Sequence, residues 1–202
     1  MLRAMAGVLI LITGFAAWAE DRSPAPDVLV RTVVSDVLSA IAKIPPGDRA
    51  GRDRALAVAK QSILPHIDFE RMTRLAVGRG WRSADARQRA ELVTQFSSLI
   101  TRVYSSAIDN YNGHQCTVEP LQLGAEDTDV VVRSHFQKTG APAVEVNYSM
   151  WKSPQGWKVY DINVENVSLV ITYRSQFSEE VAHSGIDGLI AKLAEKNRNA
   201  TP

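Results

Sequence analysis

Cysteine is almost absent from the 202-residue chain: Cys116 stands alone, which excludes an intrachain disulfide. The fold must therefore be held by packing, even in an oxidising compartment. Net charge is also missing. Arg3 is the only charged residue of the first nineteen, so residues 20–202 carry 22 basic and 22 acidic side chains. A general nucleic-acid binder would show a basic excess. The four histidines, His66, His114, His135 and His183, are scattered, with no H-E-x-x-H arrangement. His114 and Cys116 form an H-x-C pair without a third ligand nearby in sequence, so no metal site is expected. There is no G-x-S-x-G elbow and no P-loop. Gly78-Arg79-Gly80 reads as a turn rather than a phosphate cradle, and Asp161 has no identifiable catalytic partner, so a structural carboxylate is expected there. No internal repeat or low-complexity block occurs.

No apolar run reaches the length of a membrane span. The longest, Ala4 to Ala16, follows the basic start Met1-Leu2-Arg3 and precedes Ala17-Trp18-Ala19, an A-x-A pattern for signal peptidase. Residues 1–19 are expected to be a removed signal peptide, and residues 20–202 a single domain with disordered ends. The polar, proline-marked stretch 20–26 and the tail Asn197–Pro202 are those ends.

What is present is a change of period. Helical spacing runs from Asp27 to Ile41, and Asp48 is a plausible cap for a second helix closed by Pro65. Phe69, Met72, Leu75 and Ala76 mark a short third helix ending near Gly78. The longest helix starts at Ser83 or Asp85 and runs to about Tyr111, with an apolar face wider than a simple seam needs. Four strands then follow, 115–123, 130–138, 144–152 and 157–164, joined by turns short enough to imply an antiparallel meander. In the last strand Trp157, Val159 and Asp161 alternate with Lys158, Tyr160, Ile162 and Val164. Ser168 is placed to cap a helix whose stripe is Leu169, Val170, Tyr173, Phe177 and Val181, and Gly185 breaks it before a final helix at Ile186, Leu189, Ile190 and Leu193. Together this is an α+β domain: a four-stranded antiparallel curved sheet with about six helices on one face. Such a sheet would enclose apolar volume against the long helix. Periodicity alone does not distinguish a filled core from an open cavity.

Several stretches carry a family resemblance over essentially all of residues 20–202. They are Asp68-Phe69-Glu70-Arg71-Met72, Gly78-Arg79-Gly80-Trp81-Arg82 with Gln88 and Phe96, and Val144 to Tyr148. Gly156-Trp157-Lys158-Val159-Tyr160-Asp161, Val167-Ser168-Leu169-Val170 and Tyr173-Arg174-Ser175-Gln176-Phe177 follow, then Gly185 to Ile190. The chain resembles the MlaC family of periplasmic phospholipid-transport proteins, also called toluene-tolerance auxiliary proteins. Asn166 departs from the pattern, where a glycine is expected; it touches a turn.

The resemblance implies a nuclear-transport-factor-2-like fold with an added helical part, periplasmic location, and no enzymatic activity. It implies a soluble carrier that shuttles phospholipid between an outer-membrane lipoprotein–porin complex and an inner-membrane ABC transporter with a hexameric substrate-binding ring, and so maintains outer-membrane lipid asymmetry. No cofactor is implied beyond the lipid as cargo, no nucleic acid is bound, and the chain is expected to be a monomer. A small-molecule enzyme or a protein-interaction module on a similar fold are the alternatives. Burying a methylene is worth about 0.8 kcal/mol, so exposing a chain of ~16 carbons would cost on the order of 12 kcal/mol, and a carrier needs a deep, dry pocket. Residues expected to hold the lipid are Phe69, Met72 and Leu75 from the short helix, and Phe96, Ile100, Val103 and Tyr104 from the long one. Val144, Val146 and Tyr148 join them from the sheet, then Val170, Tyr173 and Phe177.

Overall fold

The computed structural model describes residues 23–45, 47–106 and 113–199; the expected signal peptide lies outside these, as does the expected continuation of the long helix to Tyr111. Helix α1 (Pro26–Ala42) begins on a proline, whose missing N–H costs nothing in a first turn. Asp48 caps α2 (Arg49–Ile63) by accepting from the Gly51 N–H at 2.9 Å, and a short 3-10 turn at Leu64–His66 ends it. Asp68 caps α3 (Phe69–Val77) in the same way, through the Arg71 N–H at 2.8 Å. The Gly78–Arg82 stretch, read as a plain turn, instead contains a one-turn helix, α4 (Gly80–Ser83). Helix α5 (Ala86–Ser106) opens on a reciprocal cap: the Gln88 N–H donates to Asp85 Oδ1 at 2.7 Å, and the Asp85 N–H to Gln88 Oε1 at 3.0 Å.

The sheet has five strands, not four, in the order β1-β2-β3-β4-β5, every pair antiparallel. They are β1 (Gln115–Val118), β2 (Asp129–Gln137), β3 (Val144–Ser153), β4 (Gly156–Val164) and the two-residue β5 (Val167–Ser168). The extra strand arises because Glu165 and Asn166 both adopt positive φ, 47° and 66°, turning the chain tightly enough for Val167 to pair with Val164. Asparagine tolerates that region, so it can stand where glycine was expected.

One β-bulge changes the face assignment. Met150 pairs with Val159, Ser149 with Asp161 and Tyr148 with Ile162, which leaves Tyr160 as an extra residue. A strict alternation puts Val159 and Ile162 on opposite faces; the bulge puts them on the same one. That face, with Val132, Met150 and Trp157, packs against Leu29 and Val30 of α1. The first helix, rather than the long one, thus covers much of the sheet. On the other face Trp151 Nε1 donates to Asp68 Oδ2 at 2.8 Å, and Arg71 donates to Asp129 Oδ2 at 2.7 Å. Tyr160 donates to Asp129 Oδ1 at 2.7 Å, and the Arg71 guanidinium lies 4.1 Å from the Tyr160 ring centroid. These contacts fasten α3 to the sheet.

Helix α6 (Leu169–Asn199) is continuous except at Gly185, where φ is 70° and ψ is −171°. Only glycine enters that region without strain. Its two halves pack with α3, α4 and α5 in a second apolar cluster built on Met72, Trp81, Leu92, Phe96, Phe177 and Leu189. Among the described residues no helix is long and apolar enough to cross a membrane.

Candidate functional site

The segment from β4 into α6 positions the site. Asp161 Oδ2 accepts from the Ser168 hydroxyl at 2.5 Å, and Oδ1 accepts from the Val170 N–H at 3.0 Å. Ser168 Oγ in turn accepts from the Ile171 N–H at 3.0 Å. Asp161 is therefore a structural carboxylate, stabilising the positive N-terminal end of α6. The start of α6 is fixed over the last strands, and Tyr173 and Phe177 turn inward. Their rings meet Phe96 edge-on, with centroids 4.9 and 5.1 Å away.

The second half of α6 is anchored along α5. Asp187 Oδ1 accepts from Arg87 at 3.2 Å and from Gln88 Nε2 at 3.0 Å. Asn197 Nδ2 donates to the Gln95 carbonyl at 2.9 Å and to its Oε1 at 2.8 Å, while Arg102 donates to the Asn197 carbonyl. These bonds explain why residues 197–199, read from sequence as part of a disordered tail, continue the helix.

Between α5, the two halves of α6 and the β4–β5 end of the sheet lies a cavity of about 880 Å³. Its apolar wall is Leu99, Val103, Ile162, Val164, Val167, Leu169 and Tyr173. Thr172, Gln176, Lys192, Glu195, Lys196 and Asn199 complete the lining with polar side chains. A smaller hollow of about 410 Å³ adjoins it and shares Gln176, Lys192 and Lys196. The large cavity lies in the roughly 300–1,000 Å³ range of small-molecule sites. Burial pushes the Tyr173 phenol up from its ordinary value. Glu180, in the smaller hollow, is held below the usual carboxylate range by hydrogen bonds from Lys192 and Ser184. Cys116 is raised by burial, and no three potential metal ligands cluster among the described residues.

Of the residues expected to hold a lipid, the structure brings Val103 and Tyr173 to the cavity. Met72, Phe96, Ile100, Val170 and Phe177 are buried in the helical cluster, Phe177 also bordering the smaller hollow, with Phe69 and Leu75 packed against that cluster. Tyr148 packs against the cluster under α1, Val146 is buried in β3, and Val144 is half-buried at the start of that strand. The side chain of Tyr104 lies outside the described ones. Sequence reasoning placed Leu99 and Leu169 on apolar helix faces, and Ile162 and Val164 on one strand face with Lys158 and Tyr160, without choosing any of them. It missed the polar lining altogether. The available signal was the spacing of Lys192, Glu195, Lys196 and Asn199 at i, i+3, i+4 and i+7, which gives one helix face. A solvated face has the same spacing, so the signal discriminates only once α6 is seen to fold back at Gly185.

A curated relative from Haemophilus influenzae, the intermembrane phospholipid transport system binding protein MlaC, is 23% identical over 141 residues. That match covers 68% of this chain and 66% of the relative, just under two thirds of its length. A solved structure, the phospholipid-binding protein from Ralstonia solanacearum in complex with a phospholipid, is 36% identical with a TM-score of 0.77. The likeness covers 87% of this chain and 98% of that one. The family profile described as MlaC protein matches residues 31–195, most of the chain, and the chain belongs to the MlaC family.

Proposed function

We propose that this protein is a carrier of phospholipid that holds acyl chain in the cavity between α5, α6 and the sheet. The observation that carries the reading is a cavity lined by both apolar and polar side chains, in a chain 36% identical to a protein solved with a phospholipid. An amphipathic ligand matches that mixed lining. Its tail gains about 0.8 kcal/mol for each methylene removed from water, and its head keeps a polar neighbour. The name of the Haemophilus relative supports transport between two membranes. A periplasmic location follows for a chain that moves lipid between them, with residues 1–19 as the export signal. The docking partners are an outer-membrane lipoprotein–porin complex and an inner-membrane ABC transporter with its hexameric ring, and the outcome is maintenance of outer-membrane lipid asymmetry.

Delipidated protein incubated with phospholipid vesicles and then separated from them by gel filtration tests this. The protein fraction is expected to carry one lipid phosphorus per chain. A protein fraction free of phosphorus, with all lipid left in the vesicles, contradicts it.

A further inference from the structure

We infer that Arg74, Arg79 and Arg82, around the turn between α3 and α4, form with Arg174 of α6 a docking surface for a carboxylate-rich face of a membrane-bound protein. The inference rests on the carrier reading, which needs a partner at a membrane, and adds the surface that partner meets. All four arginines are exposed. Gly78, with a φ of 61°, ends α3 and lets α4 start at Gly80, which gathers the first three around one tight turn. Arg174 lies against the same turn. Its Nε donates to the Leu75 carbonyl at 2.8 Å, and a Cβ added at Gly78 would stand 3.9 Å from that nitrogen. Ile171, one turn before Arg174, is 63% exposed and sets an apolar side chain beside the guanidinium.

This surface keeps a positive surplus in a chain whose charges otherwise balance. The neighbouring Arg71 and Arg87 are paired with Asp129 and Asp187, and Arg89 donates to the Trp81 carbonyl at 3.1 Å. Arg74, Arg79 and Arg82 make no ion pair among the described residues. The carboxylates on the same stretch are Asp68, Glu70 and Asp85. Asp68 accepts from Trp151 and the Arg71 N–H, and Asp85 from the Gln88 N–H, so Glu70 is the acid that remains to offset four guanidiniums. Glu179 and Glu180, farther along α6, line the smaller hollow, which Arg174 does not border. A guanidinium fork meets a carboxylate in two parallel hydrogen bonds, and such charges steer and orient an encounter more than they tighten it. That suits a carrier, which must leave its partner again. An anionic bilayer is the other acidic surface a basic patch can meet. Binding there draws on exposed aromatics, whereas Trp81, the aromatic within this turn, is only 8% exposed, which favours a protein.

The test measures binding of the fluorescently labelled, lipid-loaded full chain to membrane vesicles from the organism that makes it, and to liposomes of the lipid extracted from those membranes. Binding to the native vesicles is expected to weaken as salt rises, to vanish after the vesicles are treated with protease, and to be absent on the liposomes. The R74E/R79E/R82E variant is expected to bind the native vesicles about tenfold more weakly, as for three exposed charge pairs, with lipid content and melting temperature unchanged. R74K/R79K/R82K keeps the charge without the fork and is expected to fall between the two. Equal binding to the liposomes would make the partner an anionic bilayer and overturn the inference. Full-strength binding by the charge-reversed variant, or binding indifferent to salt, overturns it as well, and each of these results leaves the carrier reading standing. No binding to native vesicles by the unaltered chain also overturns the surface, while lipid uptake by the delipidated protein decides the carrier reading separately.

Discussion

Replacing Phe96 by alanine is expected to remove about 3–5 kcal/mol of stability, the range for deleting a large buried ring. Phe96 is fully buried and joins α5 to α6 through edge-on contacts with Tyr173 and Phe177. Each such ring contact adds about 0.5–1.5 kcal/mol beyond burial. Collapse into the vacated space would draw Tyr173 out of the cavity wall, so lipid retention should fall along with stability. Urea unfolding checks the first effect, and phosphorus content below the midpoint checks the second. A loss under about 1 kcal/mol would mean the ring is not the keystone of the helical cluster.

The second large effect separates cavity from core. Val164 lines the cavity and is half-buried, so Val164→Trp should fill the space that a tail would occupy. Ile100 is only 5% exposed inside the helical cluster, and Ile100→Trp should overpack it, costing about 1–3 kcal/mol. The expected pattern is lost lipid with near-normal melting for Val164→Trp, and lowered melting for Ile100→Trp. The reverse pattern would place the tail among the residues of the helical cluster, where the sequence alone had put much of it.

The caps show what was legible in advance. Asp48 and Ser168 each precede an apolar helical stripe, and each bonds the N–H three residues on. Local chemistry decides such features, so local sequence reveals them. The bulge at Tyr160 is different in kind: an inserted residue leaves no mark on a strand whose two sides are both rich in apolar residues. Its consequence is nevertheless large, since it puts Val159 and Ile162 on one face and lets Tyr160 reach Asp129. The strand β5 was hidden for a related reason, because two residues are too few to show alternation. The site was legible as apolar faces but not as a cavity. Phe96 and Leu99 are both apolar, lie one turn apart on one face and belong to the same buried cluster, yet only Leu99 also borders the cavity. That difference depends on how far apart α6 and the sheet stand, a distance no single element encodes. The lysine face was lost to the same ambiguity, since charge at helical spacing ordinarily means water.

Native mass spectrometry of the purified protein, before and after extraction with organic solvent, tests the central claim most directly. A carrier gives a mass above that of the polypeptide by one phospholipid, which disappears on extraction and returns when the protein is offered vesicles. Identical masses before and after extraction, with no gain after exposure to vesicles, would contradict it.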